Sequence, residues 1–308
     1  MSSLAETLTE LLEYRRGLNT SAATLKVLQS NVRLFLAWLR DTSGVTTPDR
    51  LGREHLYGYQ KALGKLTNHR GLPCAAGTIN NRIAGVRSFL GFLYDRRLIV
   101  QRLDSQLQPM KAPRRLPTSV LNHAQVQELL AGVDTTTTEG VMHRTILELL
   151  YTSGMRVGEL VGVGIGDLDL DGGLAKVCGK GSKERMVPIG RTAGRWLESY
   201  LKGVRPLLKG AGEHRALFLN RRGKPLGKKS VQAFVAKYAA ALRLEVHVTP
   251  HTFRRSCTTE LIRGNANLYH VKELLGHESL STLKPYTRLT ITDLRETHAR
   301  CHPSERDA

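Results

Sequence analysis

Cysteine is scarce in this chain: four residues in 308, Cys74, Cys178, Cys257 and Cys301, lie far apart and never form C-x-x-C. That pattern indicates neither a disulfide framework nor a zinc site. Long apolar runs are missing too, since no window approaches the eighteen residues of a membrane span. The opening M-S-S-L-A-E-T-L-T-E lacks the basic-then-apolar order of a signal peptide. These absences lead to the expectation of a soluble protein in a reducing cytoplasm. Nucleotide motifs are absent as well: there is no G-x-x-x-x-G-K-[ST], and G-V-G-I-G at 162–166 fails the dinucleotide fingerprint. A metal site on His247, His251, His270 and His277 is disfavoured, because Pro250 interrupts an i,i+4 pair at His247 and His251 and no H-E-x-x-H occurs. No internal repeat or low-complexity tract appears.

Acidic residues are outnumbered, 27 against 46 Lys plus Arg, leaving a formal charge of +19. An excess of that size argues for a polyanionic partner. Residues 1–110 hold fifteen basic and eight acidic residues and 111–308 hold thirty-one and nineteen, excesses of +7 and +12. Both halves are therefore expected to touch nucleic acid, and 308 residues is enough chain for two domains.

Helical patterns dominate the first hundred residues. Cap-type residues Asn19, Thr20 and Ser21 precede a stripe of Leu25, Leu28, Val32, Phe35, Leu36 and Leu39 that Gly44 and Pro48 end. A shorter helix is expected over about 51–63. Another stripe, Ile79, Ile83, Val86, Leu90 and Leu93, carries Asn80, Asn81, Arg82 and Arg87 on its other faces, which are either DNA-facing or simply solvated. Three prolines and three basic residues, Lys111, Arg114 and Arg115 among them, then mark residues 107–118 as a semi-extended linker suited to a phosphate backbone. Beyond it come two helices (about 122–131 and 139–153), three short strands (168–170, 174–178, 186–189) and helices over about 193–207 and 229–242. The last begins at Lys228-Lys229-Ser230, a basic, hydroxyl-bearing start suited to phosphate. The fold class expected is mainly α with a small antiparallel sheet.

The stretch from Thr249 to Thr290 organises the rest. His251 and Arg254 stand three apart in an apolar-periodic segment, so a helix would place a proton carrier and a cation about one turn apart. A second helical pattern stops at Gly276, just before His277, and Tyr286 follows Pro285, a residue favoured at a helix start. Upstream lie S-G-M-R-V-G-E-L, with Arg156 and Glu159, and V-C-G-K-G-S-K-E-R-M-V-P-I, a basic turn between strands.

With H-x-x-R, then L-G-H, then a tyrosine nine residues after that histidine, the chain resembles the tyrosine recombinases of the phage-integrase and Xer type. The resemblance is close in the C-terminal half and limited to helical pattern and linker position in the N-terminal half. It implies a helical, SAM-like core-binding domain (1–106), a linker (107–118) and an α+β catalytic domain with a C-terminal tail (119–308). It also implies Tyr286 as nucleophile, Arg156 and Arg254 as phosphate holders, His251 as proton acceptor, His277 as a further hydrogen-bond donor and Lys180 as the acid for the departing 5′ oxygen. Glu159 supports them. Arg82, Arg87, Lys111, Arg114, Arg115, Lys228 and Lys229 are the expected DNA contacts. No cofactor, metal or ATP is implied; the partners are duplex DNA at specific sites, other copies of the chain in a tetramer on two duplexes, and a possible second recombinase or accessory protein. Two departures stand out, Arg255 where the family usually has histidine and Pro285 directly before the nucleophile. From sequence alone, a non-catalytic DNA-binding protein of the same fold and a type IB topoisomerase remain the alternatives, and chromosome resolution and mobile-element movement remain alternative settings.

Overall fold

The computed structural model describes residues 3–111, 120–179, 181, 183–242, 244, 246–277 and 279–283. The chain divides into two compact units, Met1–Arg114 and Arg115–Ala308.

The first unit is helical. α1 (Leu4–Gly17) starts at a reciprocal cap in which Ser3 Oγ accepts from the Glu6 amide and the Glu6 carboxylate accepts from the Ser3 amide. α2 (Ala22–Ser43) is capped by Ser21 and ends at Gly44, whose φ of 66° is the left-handed conformation that closes a helix. α3 (Arg53–Gly64) and α4 (Ala76–Asp95) complete the unit. Phe35, Leu39, Val86, Phe89 and Leu90 meet in its core. α2 and α4 pass so closely that a Cβ on Gly85 would stand 2.8 Å from Asn31 Cβ. Asn31 Nδ2 donates to the Asn81 carbonyl at 3.0 Å across the same crossing. Leu107 is fully buried in this core. Gln60 and Asn80 accept from the Gln108 and Met110 amides at 3.0 and 2.7 Å, so residues 107–111 are tied to α3 and α4. Asn80 thus spends its side chain on the backbone.

The second unit packs helices on a small sheet. α5 (His123–Ala131), capped by Asn122, and α6 (Thr138–Ser153), capped by Thr137, lead to the one-turn helix α7 (Val157–Leu160). β1 (Leu168–Asp169), β2 (Leu174–Cys178) and β3 (Glu184–Pro188) form an antiparallel sheet in that order, with Val177 opposite Arg185 and Cys178 opposite Glu184. Ala175, Val177 and Val187 turn inward against Ile146, Leu150 and Phe253. α8 (Arg191–Ser199) runs on only as a π turn over Tyr200–Val204 and a 3-10 turn over Arg205–Leu207, where regular helix was expected to 207. Pro206 has no N–H to donate and its ring crowds the preceding turn. Arg205, 6% exposed, donates instead to the Ala211, His214, Ala216 and Leu217 carbonyls. α9 (Lys228–Ala241), α10 (Pro250–Arg263) and α11 (Leu268–Leu275) follow. No helix among the described residues is long and apolar enough to cross a membrane.

Candidate active site

A helix ends with its last carbonyls unpaired, and the end of α11 is where the candidate residues gather. Arg185 Nε donates to the Leu274 carbonyl at 2.9 Å, Arg254 Nη2 to Leu275 at 2.5 Å and Arg156 Nη2 to Gly276 at 3.1 Å. Three guanidiniums from three elements, β3, α10 and the N-cap of α7, thereby cap three successive carbonyls at the negative end of one helix. Gly276 has φ 60°, and a Cβ there would lie 3.0 Å from Arg185 Nη1. The glycine of L-G-H is required by both the turn and the closeness. Gly154, which ends α6 with φ 61°, would bring a Cβ to 2.9 Å from Leu275, and its carbonyl accepts from Arg254 Nη1 at 2.7 Å.

Glu159 ties the cluster together. Its nearly buried carboxylate accepts from the Arg156 amide at 2.8 Å, from Arg156 Nη1 at 2.7 Å and from Arg185 Nη1 and Nη2 at 2.9 Å each. Burial pushes this carboxyl up, but the Arg185 hydrogen bonds, then those from Arg156, outweigh it and hold the pKa at about 2. Arg185 was not among the residues singled out from sequence. Its only signal was its place as the last residue of G-K-G-S-K-E-R.

α10 starts with Thr249 as its cap and Pro250 in its first turn. His251 and Arg254 share that helix but not the same exposure: His251 is exposed, and Arg254 reaches inward and is 6% exposed. Burial and then the Arg156 charge lower Arg254 to about 10, so it stays cationic at neutral pH. His277 lies just past Gly276, with Nδ1 2.7 Å from Thr282 Oγ1. Partial burial, then Arg254, Arg156 and Arg185, bring its imidazole down to about 4. His251 is lowered by the protein packed around its ring and then by Arg254, Arg255 and Arg156. Both imidazoles are therefore neutral at neutral pH. A guanidinium has five N–H donors, and the bonds described for the partly exposed Arg156 side chain use two of them.

Residues 119–292 match the phage integrase family. Two relatives named tyrosine recombinase XerD are each 34% identical. The one from Listeria monocytogenes serotype 4b (strain F2365) aligns over 98% of this chain and 99% of its own length, and the one from Chlorobaculum tepidum over 92% of each. This chain belongs to the phage integrase family. Its fold is shared with a Tn1549 transposon integrase in complex with transposon right end DNA, at TM-score 0.75 and 20% identity over 97% of this chain and 99% of that one. XerH site-specific recombinase bound to difH substrate is similar at TM-score 0.62 and 22% identity, over 81% and 70% of the two chains.

Two residues that the family pattern marks, Lys180 and Tyr286, lie outside the described residues, as do Arg114 and Arg115. What carries Lys180 is described: β2 and β3 are joined by a turn in which the Gly179 amide donates to the Lys183 carbonyl at 2.8 Å. Lys228 and Lys229 are exposed at the start of α9. Lys228 passes over α7, where a Cβ on Gly158 would meet its Cε and Nζ at 3.0 Å, so this ammonium lies beside the helix that Arg156 caps. In the first unit Lys111 is exposed, and Arg82 and Arg87 are half-buried on α4.

Proposed function

We propose that this member of the phage integrase family is a site-specific DNA recombinase that cuts and rejoins duplex strands through a 3′-phosphotyrosine on Tyr286. The observation that carries the reading is the gathering of Arg156, Arg254 and His277 at the end of α11, around the buried Glu159. Two cationic forks and two neutral imidazoles in one cluster suit a phosphodiester whose nonbridging oxygens gain charge as phosphorus becomes pentacoordinate.

In this mechanism Arg156 and Arg254 hold the nonbridging oxygens through planar N–H pairs. A free phenol has a pKa of about 10, so roughly one in a thousand is ionised at neutral pH and the site must help remove the proton. His251 accepts it. The phenolate oxygen of Tyr286 bonds to phosphorus as the 5′ oxygen leaves and takes a proton from Lys180. Energy of the broken bond is kept in the phosphotyrosine, which the incoming 5′ hydroxyl of the partner strand resolves by the reverse steps. His277 completes the contact with the phosphate, and Glu159 holds Arg156 in place. The steps draw on neither a metal ion nor ATP.

On this reading residues 1–106 form the core-binding domain, 107–118 a linker along the backbone and 119–308 the catalytic domain. Arg82, Arg87, Lys111, Arg114, Arg115, Lys228 and Lys229 contact DNA, and four copies assemble on two duplexes in the cytoplasm. The experiment is covalent trapping. Wild type and Tyr286→Phe are incubated with labelled nicked or supercoiled DNA carrying candidate sites, without metal, and denatured. An adduct from wild type alone is expected. DNA binding by both proteins with no adduct on any substrate, the native site included, would leave a binding module in place of an enzyme.

A further inference from the structure

The hydrogen bonds around His277 say which of its nitrogens carries the proton. Thr282, in the 3-10 turn Leu280–Leu283, places its Oγ1 2.7 Å from His277 Nδ1 and also 2.7 Å from the Ser279 carbonyl oxygen. A threonine hydroxyl has one hydrogen to give, and a carbonyl oxygen can only accept. If the hydroxyl donated to the imidazole, its lone pairs would face the Ser279 oxygen at 2.7 Å with no hydrogen between them. The arrangement that satisfies all three atoms runs in one direction: Nδ1–H donates to Oγ1, and Oγ1–H donates to the Ser279 carbonyl. The turn that makes this possible is itself held, since the Ser281 amide donates to Ser279 Oγ at 3.1 Å and the Thr282 amide to the Ser279 carbonyl at 3.2 Å.

We infer that Thr282 is a positioning residue that fixes His277 as the Nδ1–H tautomer, leaving Nε2 unprotonated in the free protein. The inference rests on the recombinase reading for its bearing on catalysis, but not for the tautomer. It alters the role expected for His277. With Nε2 bare, the ring is an acceptor, and it donates to an anionic phosphate oxygen only after Nε2 has gained a proton. The neutral ring is consistent with the three guanidiniums nearby, which disfavour the imidazolium. Sequence reading had no access to this, because the direction of a shared hydrogen bond depends on where the third atom, a backbone oxygen, happens to lie.

The test is a nitrogen-15 spectrum of the histidine rings in the full-length protein at neutral pH, with His277 assigned by comparison with a His277→Gln variant. A protonated Nδ1 and a bare Nε2 are expected. In Thr282→Val the bias should relax roughly tenfold, the scale of one neutral hydrogen bond, with DNA affinity unchanged. Thr282→Ser keeps the hydroxyl and should restore the spectrum; Thr282→Ala stands in if the valine variant does not fold. A wild-type spectrum with the proton on Nε2, or one that the valine or alanine variant does not alter, overturns the inference. Failure of the recombinase reading looks different: wild type would show protonated Nδ1 and yet form no adduct on any DNA.

Discussion

The two units of this protein are stabilised by different means. Among the described residues, the buried polar side chains of the first unit are Thr7 and Asn31, neither of them charged. The second unit buries Glu148, Glu159, Arg205 and Arg254 as well as several hydroxyls. Removing a charge from water costs several kcal/mol, and that cost is offset only where every donor and acceptor finds a partner. The first unit relies mainly on apolar stripes that interlock, with Arg15 Nε and the Tyr59 hydroxyl buried there without a described hydrogen bond. The second accepts it in three places: Glu148 beside Arg144, Arg205 holding a loop, and Glu159 holding the guanidiniums of Arg156 and Arg185 next to Arg254. Shape alone can specify a helical bundle, but a cluster of like charges needs a counter-charge whose position is fixed.

Replacing that counter-charge should have the largest effect. Glu159→Ala leaves Arg156 and Arg185 facing each other without their shared counter-charge and should destabilise the second unit by about 3–5 kcal/mol, read as a shift in the urea midpoint. Glu159→Gln, which keeps shape and part of the hydrogen bonding, should lie between that and wild type; equal stability of all three proteins would mean the carboxylate is not the organiser. Arg156→Ala is next, with adduct formation expected to fall about a hundredfold to a thousandfold while the fold persists. Measuring both properties on both variants separates holding the site from acting in it.

The matching change in the first unit acts by steric means alone. Gly85→Ala pushes a methyl group against Asn31 at the crossing of α2 and α4 and should cost about 1–3 kcal/mol. Activity per folded molecule should not change. If cleavage falls further than the folded fraction does, the two units are coupled in catalysis more tightly than their separate cores imply.

Acid should separate the units. His277 and His143 have folded pKa values of about 4, below the ordinary 6.5, so the stability tied to their neutral forms is whole above pH 6.5 and is lost as pH falls through 4. For His143, stacked on Phe234 with Tyr238 at 2.9 Å, burial is the main cause. Glu159, lowered from 4.5 to about 2, loses its contribution from pH 4.5 downward. In the first unit the resolved shifts fall on Tyr59 and Arg102, which ionise far above that window. Each unit holds one of the two tryptophans, Trp38 and Trp196, so fluorescence of Trp38→Phe and Trp196→Phe variants reports each unit in turn. The Trp196 signal should change at higher pH; coincident transitions would remove the distinction. The smallest effect is expected at α9, where Lys228→Ala and Lys229→Ala should each lower the salt slope of DNA binding by about one.

Much of the fold was legible because its signals are local. Ser21 and Gly44 bound α2, Asn122 starts α5, Gly154 ends α6 and Thr249 with Pro250 starts α10, and each acts through the backbone within a few residues of itself. The strands were expected as short runs between the turn segments D-G-G and G-K-G-S-K-E-R and came out within two residues of their expected ends. α1 was not placed from sequence, though its Ser3–Glu6 cap is a local signal of the same kind. The early end of α8 was missed because Pro206 acts together with carbonyls from the following loop, and those lie six to twelve residues away.

For the site, the sequence by itself determined which candidate residues there are and in what order they occur: Arg156, His251, Arg254 and His277 were named from motif and spacing, and Arg156, Arg254 and His277 come together at the end of α11. Only the tertiary structure decided how they are held. Arg156 reaches Gly276 across 120 positions, Arg185 reaches Leu274 across 89, and Arg254 reaches Gly154 across 100. A guanidinium's targets here are backbone carbonyls, which every residue carries and which no side-chain pattern distinguishes. Which of them it meets depends on where α6, α10, α11 and β3 pack, and that is settled by the apolar core beneath them.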